Sequence, residues 1–143
     1  MTVMNRQSLH LGLDAQPQQV SLVRRALQTW LAANGWPDSA TDELVFAVVE
    51  AFSNSVQHAY PGFASGRVTI ELALQATTPG RMRVLAVVTD FGHWRDAGAH
   101  PCPGNGLALI RSVSQGMTLA TGDAGTCLTV WTDDEELVAA ERR

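Results

Sequence analysis

Lysine is missing altogether: all ten basic residues of this 143-residue chain are arginine. Chemistry that needs a lysine amine, as a Schiff base or as the lysine of a phosphate loop, is therefore excluded. Cysteine is scarce, with only Cys102 and Cys127 and no C-x-x-C spacing, and the N-terminus lacks the apolar core of a signal peptide. A reduced, cytoplasmic setting is the expectation. No apolar run approaches the roughly 20 residues of a membrane span, so no membrane association is expected. Clustered positive charge is lacking too. The net charge is -4 and the arginines are scattered, which argues against an extended nucleic-acid footprint.

What is present is ample for a core. Apolar residues make up 45% of the chain and charged residues 17%, a balance that predicts a globular fold, most simply one domain over residues 1–143. Ser8 to Leu13 alternates like a half-buried strand. From Gln18 to Asn34 the positions Val20, Val23, Ala26, Leu27, Trp30 and Leu31 recur at helical spacing, and Gly35 supplies a stop. Asp42 to Tyr60 reads as a long helix, with Asp38, Ser39 or Thr41 available as a cap and Pro61-Gly62 ending it.

Arg67 to Gln75 and Met82 to Thr89 read as a hairpin around Thr78-Pro79-Gly80, the second strand the more buried. Residues 92–105 carry no period of 2 or 3.6, and a loop this long in a compact chain points to function. A short helix from Gly106 to Ser114 follows, then strands at Met117 to Thr121 and Thr126 to Thr132, and a charged, weakly helical tail from Asp133 to Arg143. These elements pack most simply as an α+β fold: a two-layer sandwich with a mixed, mainly antiparallel sheet and helices on one face.

The long helix carries an unusual stripe. Glu50, Asn54 and His58 are spaced i, i+4, i+8 on one face, among Leu44, Val45, Val48, Val49, Phe52 and Val56. Either the stripe lies at the edge of the apolar face in water, or it faces a ligand. Three further pieces bear on the choice. Asp90 ends the apolar strand and precedes Gly92; as a buried acceptor it suits an exocyclic amine, and as Asp-x-Gly it is also an ordinary turn. Gly104-Asn105-Gly106 leads into an apolar helix, where free backbone amides favour an anion. Gly125-Thr126 opens the last strand, where a hydroxyl can reach a ligand or simply favour a strand. His93, His100 and Cys102 share a loop, but three ligands at that spacing match no zinc pattern.

The ordered set, E-x-x-x-N-x-x-x-H-A-Y from Glu50 to Tyr60, D-x-G from Asp90, G-x-G-L-x-x-I from Gly104 and G-T at Gly125, resembles the boxes of the GHKL (Bergerat-fold) ATPase superfamily. Within it, the short chain and the H-A-Y ending resemble the anti-sigma-factor serine/threonine-protein kinases, over about residues 8–132. The resemblance implies ATP and Mg2+ as cofactors, with Asn54 as the Mg2+ ligand and Glu50 as general base toward a serine hydroxyl. It implies Asp90 and Gly92 at the adenine, Gly104, Gly106 and Leu107 in the lid over the phosphates, and Thr126 supporting the adenine through water. His58 is expected to be structural.

The same resemblance implies a sigma factor and a STAS-type anti-sigma-factor antagonist as partners, and a homodimer. The alternative is a non-catalytic nucleotide-binding module that acts by partner exchange. The lid departs from the family pattern. His93-Trp94-Arg95 stands where a second glycine or an acid is common, and Pro103 and Asn105 stand where an arginine is common, with Arg95 and Arg111 as possible substitutes.

Overall fold

The computed structural model describes residues 2–4, 7–60, 66–92 and 106–138. The elements run β1 (Thr2–Met4), β2 (Ser8–Asp14), a 3-10 turn at Pro17–Gln19, α1 (Val20–Ala33), α2 (Asp38–His58), β3 (Arg67–Thr78) and β4 (Arg81–Asp90). After them come α3 (Gly106–Ser112), β5 (Gly116–Gly122), β6 (Gly125–Trp131) and β7 (Glu135–Glu136). The strands form one seven-stranded sheet in the order β1-β2-β3-β4-β6-β5, with β7 added to the Arg81–Met82 end of β4. Every described pairing is antiparallel.

The period-2 alternation places every second side chain on one face, and the register lines these up as rows across β2, β3, β4 and β6. Leu9, Leu72, Ala86 and Val130 form one row, and Leu11, Ile70, Val88 and Leu128 the next; all eight are buried. The opposite positions, such as Thr69, Val87, Thr129 and Trp131, are only half-buried. The sheet is therefore covered on one face, by α1 through Val23, Leu27, Trp30 and Leu31 and by α2 through Leu44, Val45, Val48, Ala51 and Phe52. Trp30 and Phe52 are fully buried, and burying a side chain of the Leu or Phe kind is worth about 1.5–3 kcal/mol.

Three expectations change. α2 begins at Asp38 rather than Asp42, because Pro37 takes the N-cap position and no side chain caps the helix. Thr41 instead donates from Oγ1 to the Pro37 carbonyl at 3.0 Å. The segment after Asp133 forms the short strand β7 rather than a weak helix. Arg81 donates from Nε to Asp134 Oδ1 and from a terminal nitrogen to the Asp134 carbonyl, both at 2.9 Å, which holds the segment extended beside β4. The Arg81 guanidinium and the Thr77 hydroxyl keep the Asp134 carboxyl below its ordinary pKa. Farther along, the Val138 amide donates to the Gly35 carbonyl at 2.7 Å. Lastly β1, too short to show a pattern, extends the sheet beyond β2.

Candidate nucleotide site

The third row of the sheet is where the apolar pattern breaks. Leu13 and Val68 continue it, but their partners across β4 and β6 are Asp90 and Thr126, at 1% and 4% exposure. A carboxylate placed there needs donors. Ser55 of α2 donates from Oγ to Asp90 Oδ2 at 2.8 Å, and the Gly92 amide donates to Asp90 Oδ1 at 3.3 Å. The turn that follows is clamped by the single tyrosine. Tyr60 accepts from the Phe91 amide at 2.8 Å and donates to the Arg67 carbonyl at 2.7 Å. Gly92 packs on the end of α2 so closely that a Cβ there would run into the Ala59 carbonyl, which is the reason glycine stands at that position.

One residue before Ser55 lies Asn54, 4% exposed, with its Nδ2 fully buried and without a hydrogen-bond partner. Buried amides left unpaired are uncommon and point to a missing ligand or water. Glu50, one turn earlier, is half-buried. Gly106, the first residue of α3, sits directly against both. A Cβ added there would stand 2.9 Å from Asn54 Nδ2, 3.0 Å from Asn54 Oδ1 and 3.0 Å from Glu50 Oε1. Glycine at this junction thus keeps open the space in front of the amide and the carboxylate. Val113 at the other end of α3 shares a pocket wall with Glu43 and Leu44, so α3 runs antiparallel to α2.

Two groups therefore meet on one turn of α2: Glu50, Asn54 and Gly106 on one side, and Ser55, Asp90, Gly92 and Thr126 on the other. A magnesium ion takes oxygen ligands and keeps several waters, so one carboxamide beside bound phosphates is a sufficient donor set. The cleared space at Gly106 faces both ends of the Asn54 carboxamide, so Oδ1 fits a metal while the unpaired Nδ2 suits a phosphate oxygen. Leu107 is half-buried and packs on the core. His58 is half-buried and already has an interaction of its own. Gly104, Asn105, Pro103 and the segment holding His93, Trp94, Arg95, His100 and Cys102 lie outside the described residues. Among the described residues no group of three His, Cys, Asp or Glu side chains is placed to hold a metal, and no described helix is long and apolar enough to cross a membrane.

Sequence reasoning does not single out Ser55, and it sees Tyr60 only as the end of a motif. The signal that finds Ser55 is its offset: a residue following Asn54 is turned about 100° round the helix, toward the sheet rather than toward α3.

Comparison with known proteins identifies the family. The histidine kinase-like ATPase domain family matches residues 13–132. A serine-protein kinase RsbW of Listeria monocytogenes is 41% identical over 61 residues, which is 43% of this chain and 39% of that protein. The serine-protein kinase RsbW of Bacillus subtilis is 31% identical over 70 residues, 49% of this chain and 44% of that protein. The matched segments thus span less than half the length of these relatives. Among solved structures, the RsbU and RsbW domains of Rv1364c from Mycobacterium tuberculosis superpose with a TM-score of 0.68 at 27% identity, covering 92% of this chain and 34% of that one. With most of its length, from the end of β2 through β6, matched by one family, the chain belongs to the histidine kinase-like ATPase domain family.

Proposed function

We propose that this chain is an anti-sigma factor with ATP-dependent serine kinase activity, which phosphorylates a serine of a STAS-type antagonist in the cytoplasm and otherwise sequesters a sigma factor. The observation that carries the reading is the pairing of Glu50 with the unpartnered, buried Asn54 amide under Gly106. A binding module needs the amide and the space; the carboxylate one turn away is what the kinase reading adds. The family match and the kinase names of the relatives support the same class.

Mg2+-ATP, when bound, supplies the transferable phosphoryl group and the neutralising charge that phosphoryl transfer requires. The chain's own residues do the rest. Asn54 would hold the metal through its carboxamide oxygen. Asp90 accepts a hydrogen bond from the exocyclic amine of adenine, backed by Thr126 across the ladder. Glu50 would take the proton from the partner's serine hydroxyl as general base. Gly92 would let the chain turn beside the base, and Gly106 and Leu107 would wall the phosphate side of the site.

The test is a phosphotransfer assay with Mg2+-ATP and antagonist proteins from the same organism. Phosphate should appear on a partner serine, and Glu50→Gln should slow transfer by about 10²–10⁴-fold while nucleotide still raises the unfolding temperature. Transfer by Glu50→Gln at the wild-type rate removes the base assignment. Nucleotide binding with no transfer to any antagonist turns the reading into partner exchange without catalysis.

A further inference from the structure

We propose that Ser55 sets the nucleobase selectivity of this site by fixing the Asp90 carboxylate in one orientation. The inference rests on the reading of Asp90 as the group that meets the base.

Ser55 is 2% exposed and lies on the buried side of α2, beside Asn54. Its hydroxyl donates to Asp90 Oδ2 at 2.8 Å, the usual length for an O–H···O bond. The Gly92 amide donates to the other oxygen, Oδ1. With a donor on each oxygen, the carboxylate cannot turn about its Cβ–Cγ bond without breaking one of the two. Both donors are themselves held: Ser55 by the helix, and Gly92 by the turn that Tyr60 clamps through the Phe91 amide.

A carboxylate so held presents a fixed, acceptor-only edge. A purine with a 6-amino group donates to it. A purine with a 6-oxo group sets lone pair against lone pair, and the held carboxylate cannot swing aside to relieve the clash. Sites built to pair a buried polar group reject ligands that leave it unpaired. Without the Ser55 hydroxyl the carboxylate loses its donor on Oδ2. It then loses alignment toward the amino base and yields to the oxo base. Ser55 is a positioning residue: it acts through Asp90.

The experiment is a calorimetric titration of the full chain with ATP and with ITP, each with Mg2+, using wild type, Ser55→Ala, Ser55→Thr and Tyr60→Phe. Wild type should prefer ATP. Ser55→Ala should lose ATP affinity by about tenfold, the scale of one hydrogen bond to a charged group, with ITP affinity nearly unchanged, so that the ratio contracts. Ser55→Thr keeps the hydroxyl and should keep the ratio. Tyr60→Phe releases the turn that holds the Gly92 amide, the second donor to the carboxylate, and should contract the ratio as well. If Ser55→Ala fails to fold, Ser55→Cys, a weaker donor of similar size, carries the same comparison. A wild-type ratio in Ser55→Ala, or a contraction in Ser55→Thr as large as in Ser55→Ala, overturns the role of Ser55 while leaving the nucleotide site standing. A wild-type protein that binds neither nucleotide overturns the site reading and the Ser55 role together.

Discussion

Replacing Asn54 by leucine should make the free protein more stable and the nucleotide-loaded protein less so. Asn54 is 4% exposed near the C-terminal end of α2, and its Nδ2 has no partner. Such a group costs about 1–3 kcal/mol of desolvation that no hydrogen bond returns. Leucine has the same number of side-chain heavy atoms, removes that cost and is the better helix former by roughly 0.5 kcal/mol. Its larger volume beside Gly106 and Glu50 costs about 1–2 kcal/mol through overpacking. The balance is a gain of about 1 kcal/mol, or roughly 2–4 °C in Tm for a chain of this size. With Mg2+-ATP at 100 times Kd the wild type gains about 2.7 kcal/mol, and Asn54→Leu should gain none. The two proteins therefore exchange rank when ligand is added, in thermal unfolding followed by calorimetry or fluorescence. If Asn54→Leu is less stable than wild type without ligand by more than about 1 kcal/mol, Asn54 is a structural residue and the argument from its unpaired amide fails.

Two further outcomes follow from the geometry. Gly106→Ala puts a Cβ within 3.0 Å of Glu50 and Asn54 at the start of a helix. Because alanine also favours the helix, by about 1 kcal/mol, the fold should hold its Tm within a few degrees while nucleotide affinity, measured by titration, drops about tenfold or more. The Arg81 and Thr77 bonds to Asp134 depress that carboxyl's pKa from its ordinary 3.8, so they contribute stability above that value and lose it as pH falls through the depressed one. The Tm difference between wild type and Asp134→Asn should accordingly be constant from neutral pH down to about 5, shrink as pH falls past the ordinary value and vanish below the depressed one. A difference that widens with acid would contradict the assignment.

How much of this was legible in the sequence depends on how local each signal is. α2, β3, β4 and β6 announce themselves through sustained periodicity, and the register of the buried rows follows from that alternation. Asp90 stands out because it ends a run of apolar residues. Ser55 does not, since a serine one place after Asn54 acquires a role only once α2 lies across β4. Tyr60 is similar: its two bonds reach Arg67 and Phe91, which are 7 and 31 residues away. The tail shows the same limit. Its acidic run suggests solvated helix, and only the open backbone of Arg81–Met82 and the reach of the Arg81 side chain draw Glu135–Glu136 into a ladder. The early start of α2 was hidden by three polar residues soon after Pro37, Asp38, Ser39 and Thr41, where the proline itself sets the boundary.

The central claim is that one turn of α2, the end of β4, the start of α3 and the start of β6 together hold Mg2+-ATP. The most direct measurement is a pair of two-dimensional amide spectra of the isotope-labelled chain, with and without Mg2+-ATP. Shifts should concentrate at Asn54 and Ser55, at Asp90 to Gly92, at Gly106 and at Thr126, while the Arg81–Met82 end of β4 stays unchanged. Saturating nucleotide that leaves those amides in place, or that moves only residues on the open face of the sheet such as Val87 and Thr129, would contradict the account.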